Sequence, residues 1–268
     1  MARNYNGEIE VWMLSDCHAH LHGLTAAELD EMIERSRGEG LKIIVAVGTD
    51  METSLTAVNI AETYDIVYAA VGIHPMNAHT IDSGLYRQLE ALARREVVVA
   101  ISEIGLDLAD AGYPTGPAEQ MPAFQKQLQL AREVAKPAII HSRGAAREVT
   151  DILRQEESIE TVLHDFAADE STLAEAIDLG CYFSEGFAFL APDTVPNVKN
   201  LHEMVKRIPD DRLLLESDRY PRSRHGERWP WDVKRVAQQV AEIRGSTTAE
   251  IGRLATDNLS RLLRTGRY

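Results

Sequence analysis

His18 and His20 stand one residue apart at the end of an apolar run, and that spacing can chelate. In an extended segment residues two apart point the same way, so both imidazoles face one point while Cys17 and Ala19 turn toward the helix layer. The same kind of ending recurs down the chain, in Gly72-Ile73-His74-Pro75, Ser102-Glu103-Ile104-Gly105, Ile140-His141-Ser142-Arg143, Leu163-His164-Asp165 and Glu216-Ser217-Asp218. Five of the nine histidines fall on such ends. Neutral imidazole and carboxylate are the preferred ligands of zinc and related divalent ions, and one histidine pair with two further histidines and two carboxylates could hold two ions side by side. Two adjacent ions clamp the attacking and leaving oxygens of a displacement and acidify water between them. That suits hydrolysis of a phosphodiester, phosphomonoester, amide or lactone.

Something must bring these endings together, and the periodicity says what. Eight short, β-branched runs are strand candidates: Glu10–Cys17, Lys42–Gly48, Ile66–Gly72, Val97–Ile101, Pro137–Ile140, Thr161–Leu163, Cys181–Ser184 and Arg212–Leu215. Amphipathic stretches of helical period alternate with them: Thr25–Arg37, Met51–Thr63, Gly84–Arg95, Pro122–Ala135, Gly144–Gln155, Glu170–Leu179 and Val195–Ile208, then Trp231–Arg244 and Thr248–Leu263. Thr25 with Glu28 reads as a capping box, and Ser246 or Thr247 with Glu250 as another. Eight such units without a break in composition predict a single (β/α)8 TIM barrel over residues 1–268, with its active site at the C-terminal ends of the strands. A doubly wound open sheet is the alternative, but the Gly-rich first turn it would use for a dinucleotide is missing.

The 268 residues carry 28 basic and 42 acidic side chains, a formal charge of −14, which excludes a protein that coats polyanions through an extended basic surface. Apolar residues make up 44% of the chain, enough for a full core. Two cysteines, Cys17 and Cys181, give no disulfide framework and read as small buried apolar residues. Residues 1–11 hold no secretory apolar run, and nowhere do 18 apolar residues follow one another, so a cytoplasmic protein without membrane insertion is expected.

The ordered set His-x-His, Glu, His, His, Asp resembles the metal-dependent amidohydrolase superfamily, and more closely the TatD family of metal-dependent deoxyribonucleases. The resemblance runs from Asp16-Cys17-His18-Ala19-His20 through Val71-Gly72-Ile73-His74-Pro75, Glu103-Ile104-Gly105-Leu106-Asp107 and His141-Ser142-Arg143 to Glu216-Ser217-Asp218 and Asn258-Leu259. The segment Phe124-Gln125-Lys126-Gln127-Leu128-Gln129-Leu130-Ala131 is similar to the family's helix before strand five. It implies that His18, His20 and Asp218 hold one ion, that His141 and His164 hold the other, and that Glu103 bridges them, where related hydrolases use a carbamylated lysine. Two divalent ions, zinc, magnesium or manganese, are the cofactor it implies. Asp218 would be the general base, and His74 and Arg143 would meet the substrate phosphate. The activity implied is exonucleolytic cleavage of DNA; a monomer is expected, and no protein partner is implied.

This chain also departs from the family's pattern. Where the family reads His-Cys-Phe-Ser-Gly, it has His164-Asp165-Phe166-Ala167-Ala168-Asp169, which removes phosphate-facing donors and adds two acidic residues. Ser102 and Ser217 replace the usual Gly and Thr. With the charge of −14, these changes keep open a superfamily hydrolase of a small phosphoester, amide or lactone. Against the acidic total, the stretch from Arg219 to Trp231 gathers four arginines and three aromatics, suited to a short strand or phosphorylated molecule, or else a solvated salt-bridge cluster. Asp16 is expected to orient the histidine pair, and Glu216 to accept a hydrogen bond or fill the barrel interior. His22, His79, His202 and His225 are given no metal role.

Overall fold

The computed structural model describes residues 12–109, 112–156, 159–190, 198–220 and 227–265. Eight strands make one parallel sheet: β1 (Leu14–Ala19), β2 (Leu41–Val47), β3 (Val67–Val71), β4 (Val98–Gly105), β5 (Ala138–His141), β6 (Thr161–His164), β7 (Tyr182–Glu185) and β8 (Leu213–Leu215). Each pairs with its neighbours in chain order. The ring is closed by a bridge between Ala19 and Arg219, where His20 N–H donates to the Arg219 carbonyl at 2.8 Å and Asp218 N–H to the His18 carbonyl at 3.1 Å. Around this barrel run helices α1 (Ala26–Gly38), α2 (Met51–Thr63), α3 (Ser83–Ala93), α4 (Pro117–Glu133), α5 (Ala146–Gln155), α6 (Glu170–Asp178), α7 (Phe187–Leu190), α8 (Val198–Arg207), α9 (Val233–Arg244) and α10 (Thr248–Leu263). The TIM barrel expected from the sequence is the fold.

Alternation along the strands divides the core in two. One set, among them Ile43, Val45, Ala70, Ile139, Val162 and Leu214, fills the barrel interior, and Leu259, Leu262 and Leu263 of α10 seal its floor. The other, with Ile44, Ala46, Ala69, Ile140 and Leu215, packs under the helices. With the floor closed by leucines, the polar strand ends at the opposite rim are the part left for chemistry.

Local chemistry sets most boundaries. Thr25 and Glu28 form the expected capping box at α1, and Thr247 rather than Ser246 caps α10 with Glu250. Most boundaries agree with the sequence reading within two residues, and three described ones differ by more. Helix α4 begins at Pro117, five residues before Pro122, because the Glu119 carboxylate accepts the Gly116 N–H at 2.9 Å and Pro117 takes the first helical position, where a missing N–H costs nothing. Strand β4 runs on through Glu103 to Gly105 instead of stopping at Ile101. Strand β1 starts at Leu14, and Glu10, Val11 and Val195–Asn197 lie outside the described residues.

The direction of Cys17 is a further correction. Asp16 pairs with Ile44 and Ala19 with Ala46, so β1 carries one extra residue there. Such a bulge upsets strict alternation. Ala19 does turn to the helix layer, but Cys17 joins the barrel interior, its Sγ 3.8 Å from Glu216 Oε2.

Candidate active site

Glu103 lies at the centre of the rim, buried, with its two carboxylate oxygens facing different groups. Oε2 is 3.6 Å from His18 Nε2 and 3.5 Å from His20 Nε2. Oε1 is 2.8 Å from His141 Nδ1, 3.5 Å from His164 Nε2 and 3.6 Å from His74 Nε2. Asp218 completes the first side, with Oδ1 3.9 Å from His20 Nε2. Burial alone would push the Glu103 carboxyl up, but the imidazoles of His74, His141, His18 and His20 around it outweigh that and hold it well below the usual carboxylate range. It is therefore ionised at neutral pH.

The bonds on the far side of each ring fix which nitrogen faces inward. His20 Nδ1 is 3.1 Å from the Val47 carbonyl, which can only accept, so Nδ1 carries the proton and the Nε2 lone pair faces Glu103. His164 Nδ1 is 2.7 Å from Glu216 Oε1 and His141 Nε2 is 3.0 Å from Asp107 Oδ2, so these rings too present a lone pair to the centre once each is neutral. His74 is the reverse. Its Nδ1 accepts the Met76 N–H at 3.1 Å at the start of the 3-10 helix Pro75–Thr80, which leaves Nε2 as a donor. Burial lowers its pKa to about 3, partly offset by Glu103, so this donor is a neutral ring. His18 Nε2 and His20 Nε2 lie 3.3 Å apart, and burial with the neighbouring His164 lowers His18 to about 4. Two imidazole nitrogens this close to each other beside a carboxylate are a donor set for a divalent cation. The groups His18, His20, Asp218 and Glu103, His141, His164 each bring ligand atoms within 4.8 Å of one another.

The backbone makes room for this convergence. Gly105, at φ +133°, lies so close to β5 that a Cβ would meet the His141 carbonyl at 2.1 Å. Asp165 and Asp218, directly after β6 and near the end of β8, hold left-handed φ values of 41° and 42°, a strain that non-glycine residues carry mostly at functional sites.

The eight residues expected to meet metal or phosphate, His18, His20, His74, Glu103, His141, Arg143, His164 and Asp218, all stand on this rim. Arg143 is the least committed to the ring of imidazoles: its Nε donates to Asp107 Oδ2 at 2.9 Å and its Nη2 to the Tyr113 hydroxyl at 2.9 Å. Asp16 accepts from the Ser217 N–H at 2.9 Å and hydroxyl at 2.6 Å and from the His18 N–H at 3.2 Å, tying β1 to β8 beneath the pair. Of the two open readings of Glu216, the structure combines both: it is inside the barrel, bonded to His164 and to the Ser184 hydroxyl. Of the arginine cluster, Arg219 and Arg228 turn inward, Arg228 Nε donating to the Asp218 carbonyl at 3.0 Å, while Arg222, Arg224 and His225 lie outside the described residues. Asp169 of the altered loop caps α6, accepting from Thr172 N–H at 2.8 Å.

Sequence reasoning gave no role to Asp107 or Gln120. Asp107 is buried and braces His141 and Arg143 together, and Gln120 in turn holds the Asp107 main chain at 2.9 and 3.1 Å. The available signal was a carboxylate two residues past Gly105 and a glutamine on the apolar face of a helix.

A family model described as TatD related DNase matches residues 15–264. The chain belongs to the TatD family. It is 38% identical over 260 residues to the metal-dependent hydrolase YabD of Bacillus subtilis, covering 94% of this chain and 99% of that one. It is 31% identical over 257 residues to the 3'-5' ssDNA/RNA exonuclease TatD of Edwardsiella piscicida, covering 91% and 96%. Among solved structures, the TatD homologue YjjV of Escherichia coli K12 superposes with a TM-score of 0.81 at 26% identity, over 93% of this chain and 97% of that one. Like its TatD relatives, the chain is a metal-dependent hydrolase acting on ester bonds. No helix among the described residues is long and apolar enough to cross a membrane.

Proposed function

We propose that this TatD protein removes nucleotides from an end of single-stranded DNA by phosphodiester hydrolysis, with two divalent ions held on either side of Glu103. His18, His20 and Asp218 would hold one ion, and His141 and His164 the other. The observation that carries this reading is the division of the Glu103 carboxylate, one oxygen toward each set of imidazoles. Zinc, manganese or magnesium there would supply Lewis acidity and bring the pKa of a water toward neutrality. The substrate class is supported by relatives named as ssDNA/RNA exonucleases.

The chain's own groups divide the remaining work. His74 Nε2–H and the Arg143 guanidinium donate to the non-bridging phosphate oxygens, a neutral donor beside a forked cationic one. Asp218, partly open to solvent, takes the proton of the attacking water as its oxygen bonds to phosphorus, and returns it to the leaving oxygen as the P–O bond breaks. Arg228 and the backbone bond to His18 fix that carboxylate over the ring of imidazoles.

The test is hydrolysis of end-labelled single-stranded DNA by metal-replete protein, beside a panel of small phosphodiester, amide and lactone substrates. Release of mononucleotides from one end, lost in Asp218→Asn, is expected. Intact DNA with turnover of a small substrate would overturn the nuclease reading in favour of a small-molecule hydrolase, which the charge of −14 would then explain.

A further inference from the structure

Beside the proposed metal ligands the rim opens into a cavity of about 650 Å³, within the size range of small-ligand sites. Its walls come from the start of α1 and from the chain around β8's end: His22, Glu31, Arg219, Tyr220, Trp229 and Trp231. The wall is continuous with the ligands, since Arg219 follows Asp218 and its Nη1 donates to the His20 carbonyl at 2.6 Å.

The wall is built rather than incidental. Trp229 and Trp231 stack at 5.1 Å between ring centroids, with Arg219 Cζ 4.8 Å above the first and Arg35 Cζ 4.0 Å above the second. This column of two cations and two indoles holds Arg219 rigidly, at 5% exposure, yet the Arg219 Nε–H has no hydrogen-bond partner. A buried donor left unmet is costly unless something fills it. His22 Nδ1 is likewise buried and unmet. Tyr220 is 39% exposed at the mouth, its edge against His20 at 4.8 Å. Glu28 is taken up by Thr25, whose N–H and hydroxyl it accepts at 2.7 Å, but the exposed Glu31 and Glu227 bring further carboxylates to the cavity.

A planar ring with both acceptors and amine donors matches this lining. The ring stacks on Tyr220, the buried Arg219 Nε–H meets a ring nitrogen or carbonyl, and a carboxylate accepts from an exocyclic amine. Thymine and uracil place a carbonyl on each side of their single N–H, and those oxygens would face the carboxylates. We infer that this cavity is a nucleobase subsite that prefers the amino-bearing bases adenine, cytosine and guanine in the nucleotide next to the scissile phosphate. This rests on the nucleic-acid reading above and adds a base preference to it.

Binding of free 2'-deoxynucleosides tests the subsite without any hydrolysis. Two of the three tryptophans line the cavity, so in a Trp12→Phe background tryptophan fluorescence of the metal-replete protein reports its occupancy. Deoxycytidine and deoxyadenosine are expected to quench saturably and to bind at least about fivefold more tightly than thymidine. Tyr220→Ala should weaken deoxycytidine at least about fivefold, the low end of the loss of one base–aromatic stack. Glu31→Gln should bring the cytidine-to-thymidine ratio toward one. Absence of saturable quenching by any nucleoside at millimolar concentration would overturn the subsite, as would equal affinities for all four that neither variant moves. End-labelled strands ending in each of the four bases separate this from the nuclease reading. Digestion indifferent to the terminal base and without quenching removes the subsite and leaves the nuclease, whereas discriminating nucleoside binding by a protein inert on DNA supports the subsite and removes the nuclease.

Discussion

The two sides of Glu103 are built to different rules. On the Oε2 side, His20 is braced by a main-chain carbonyl, His18 Nδ1 has no partner, and burial keeps His18 near pKa 4. On the Oε1 side, two of the three imidazoles lean on buried carboxyls, His141 on Asp107 and His164 on Glu216. Burial works against protonation of these two rings as well, but the carboxylates outweigh it, lifting His141 and raising His164 well above the usual histidine range. Burial also raises Glu216 to about 7. The same ring type is thus a ready lone pair on one side and a proton carrier on the other. A carboxylate brace makes a ligand more basic but obliges it to shed a proton before it can bind an ion.

The largest effect should come from removing what the sides share. Glu103→Ala is expected to weaken ion binding on both sides and to lower kcat by about a thousandfold or more, the scale on which metal-activated water and charge stabilisation act together. Metal content after dialysis and steady-state kinetics on a phosphodiester check it. A smaller effect on one side only distinguishes the halves: Asp107→Asn or Glu216→Gln should cost about 10–100-fold in affinity for the Oε1-side ion and leave the other ion in place. Competition with a chromogenic chelator reads both affinities.

Proton linkage sharpens the contrast further. Because His141 and His164 have raised pKa values in the metal-free protein, ion binding on their side displaces protons, and affinity should rise by about tenfold per pH unit per proton as pH climbs toward those values. On the other side His18, near 4, carries no proton above about pH 5 and adds no such slope. Calorimetric titration in buffers of different ionisation enthalpy, between pH 6 and 8, separates the two events.

The smallest effect concerns β7, from which no residue is proposed to hold an ion. Its Glu185 is fully buried with neither oxygen hydrogen-bonded, and burial, with Asp165 and Glu216 nearby, pushes its carboxyl well above the usual range. The folded pKa exceeds the unfolded value of about 4.3, so the protonated fold is favoured at low pH and that stability is lost as pH rises through the folded value. Glu185→Gln should therefore flatten the decline in Tm of the metal-free protein as pH rises above the unfolded value of about 4.3, measured by thermal unfolding.

The barrel and the convergence of imidazoles and carboxylates on one rim were legible because both depend on local signals: β-branched runs too short for helices, and polar residues repeating at their ends. What could not be read depends on pairing across the barrel. The inward turn of Cys17 follows from a bulge that only the register against β2 reveals. Pro122 resembled a helix start, but the Glu119 side chain reaching back to Gly116 moves the start to Pro117. Asp107 and His141 meet across 34 residues of chain, and no spacing announces that brace. The arginines of the last loop read equally as a substrate-binding group or a solvated salt-bridge cluster, because composition does not show that Arg219 and Arg228 fold inward, one onto Trp229 and the other onto Asp218.

The most direct measurement is anomalous diffraction from crystals soaked in zinc or manganese. Two peaks are expected, one bonded to His18, His20 and Asp218 and the other to His141 and His164, with the Glu103 oxygens shared between them at about 2.0–2.2 Å. A single peak, or ions held on only one oxygen of Glu103, would contradict the bridging role on which the proposed chemistry depends.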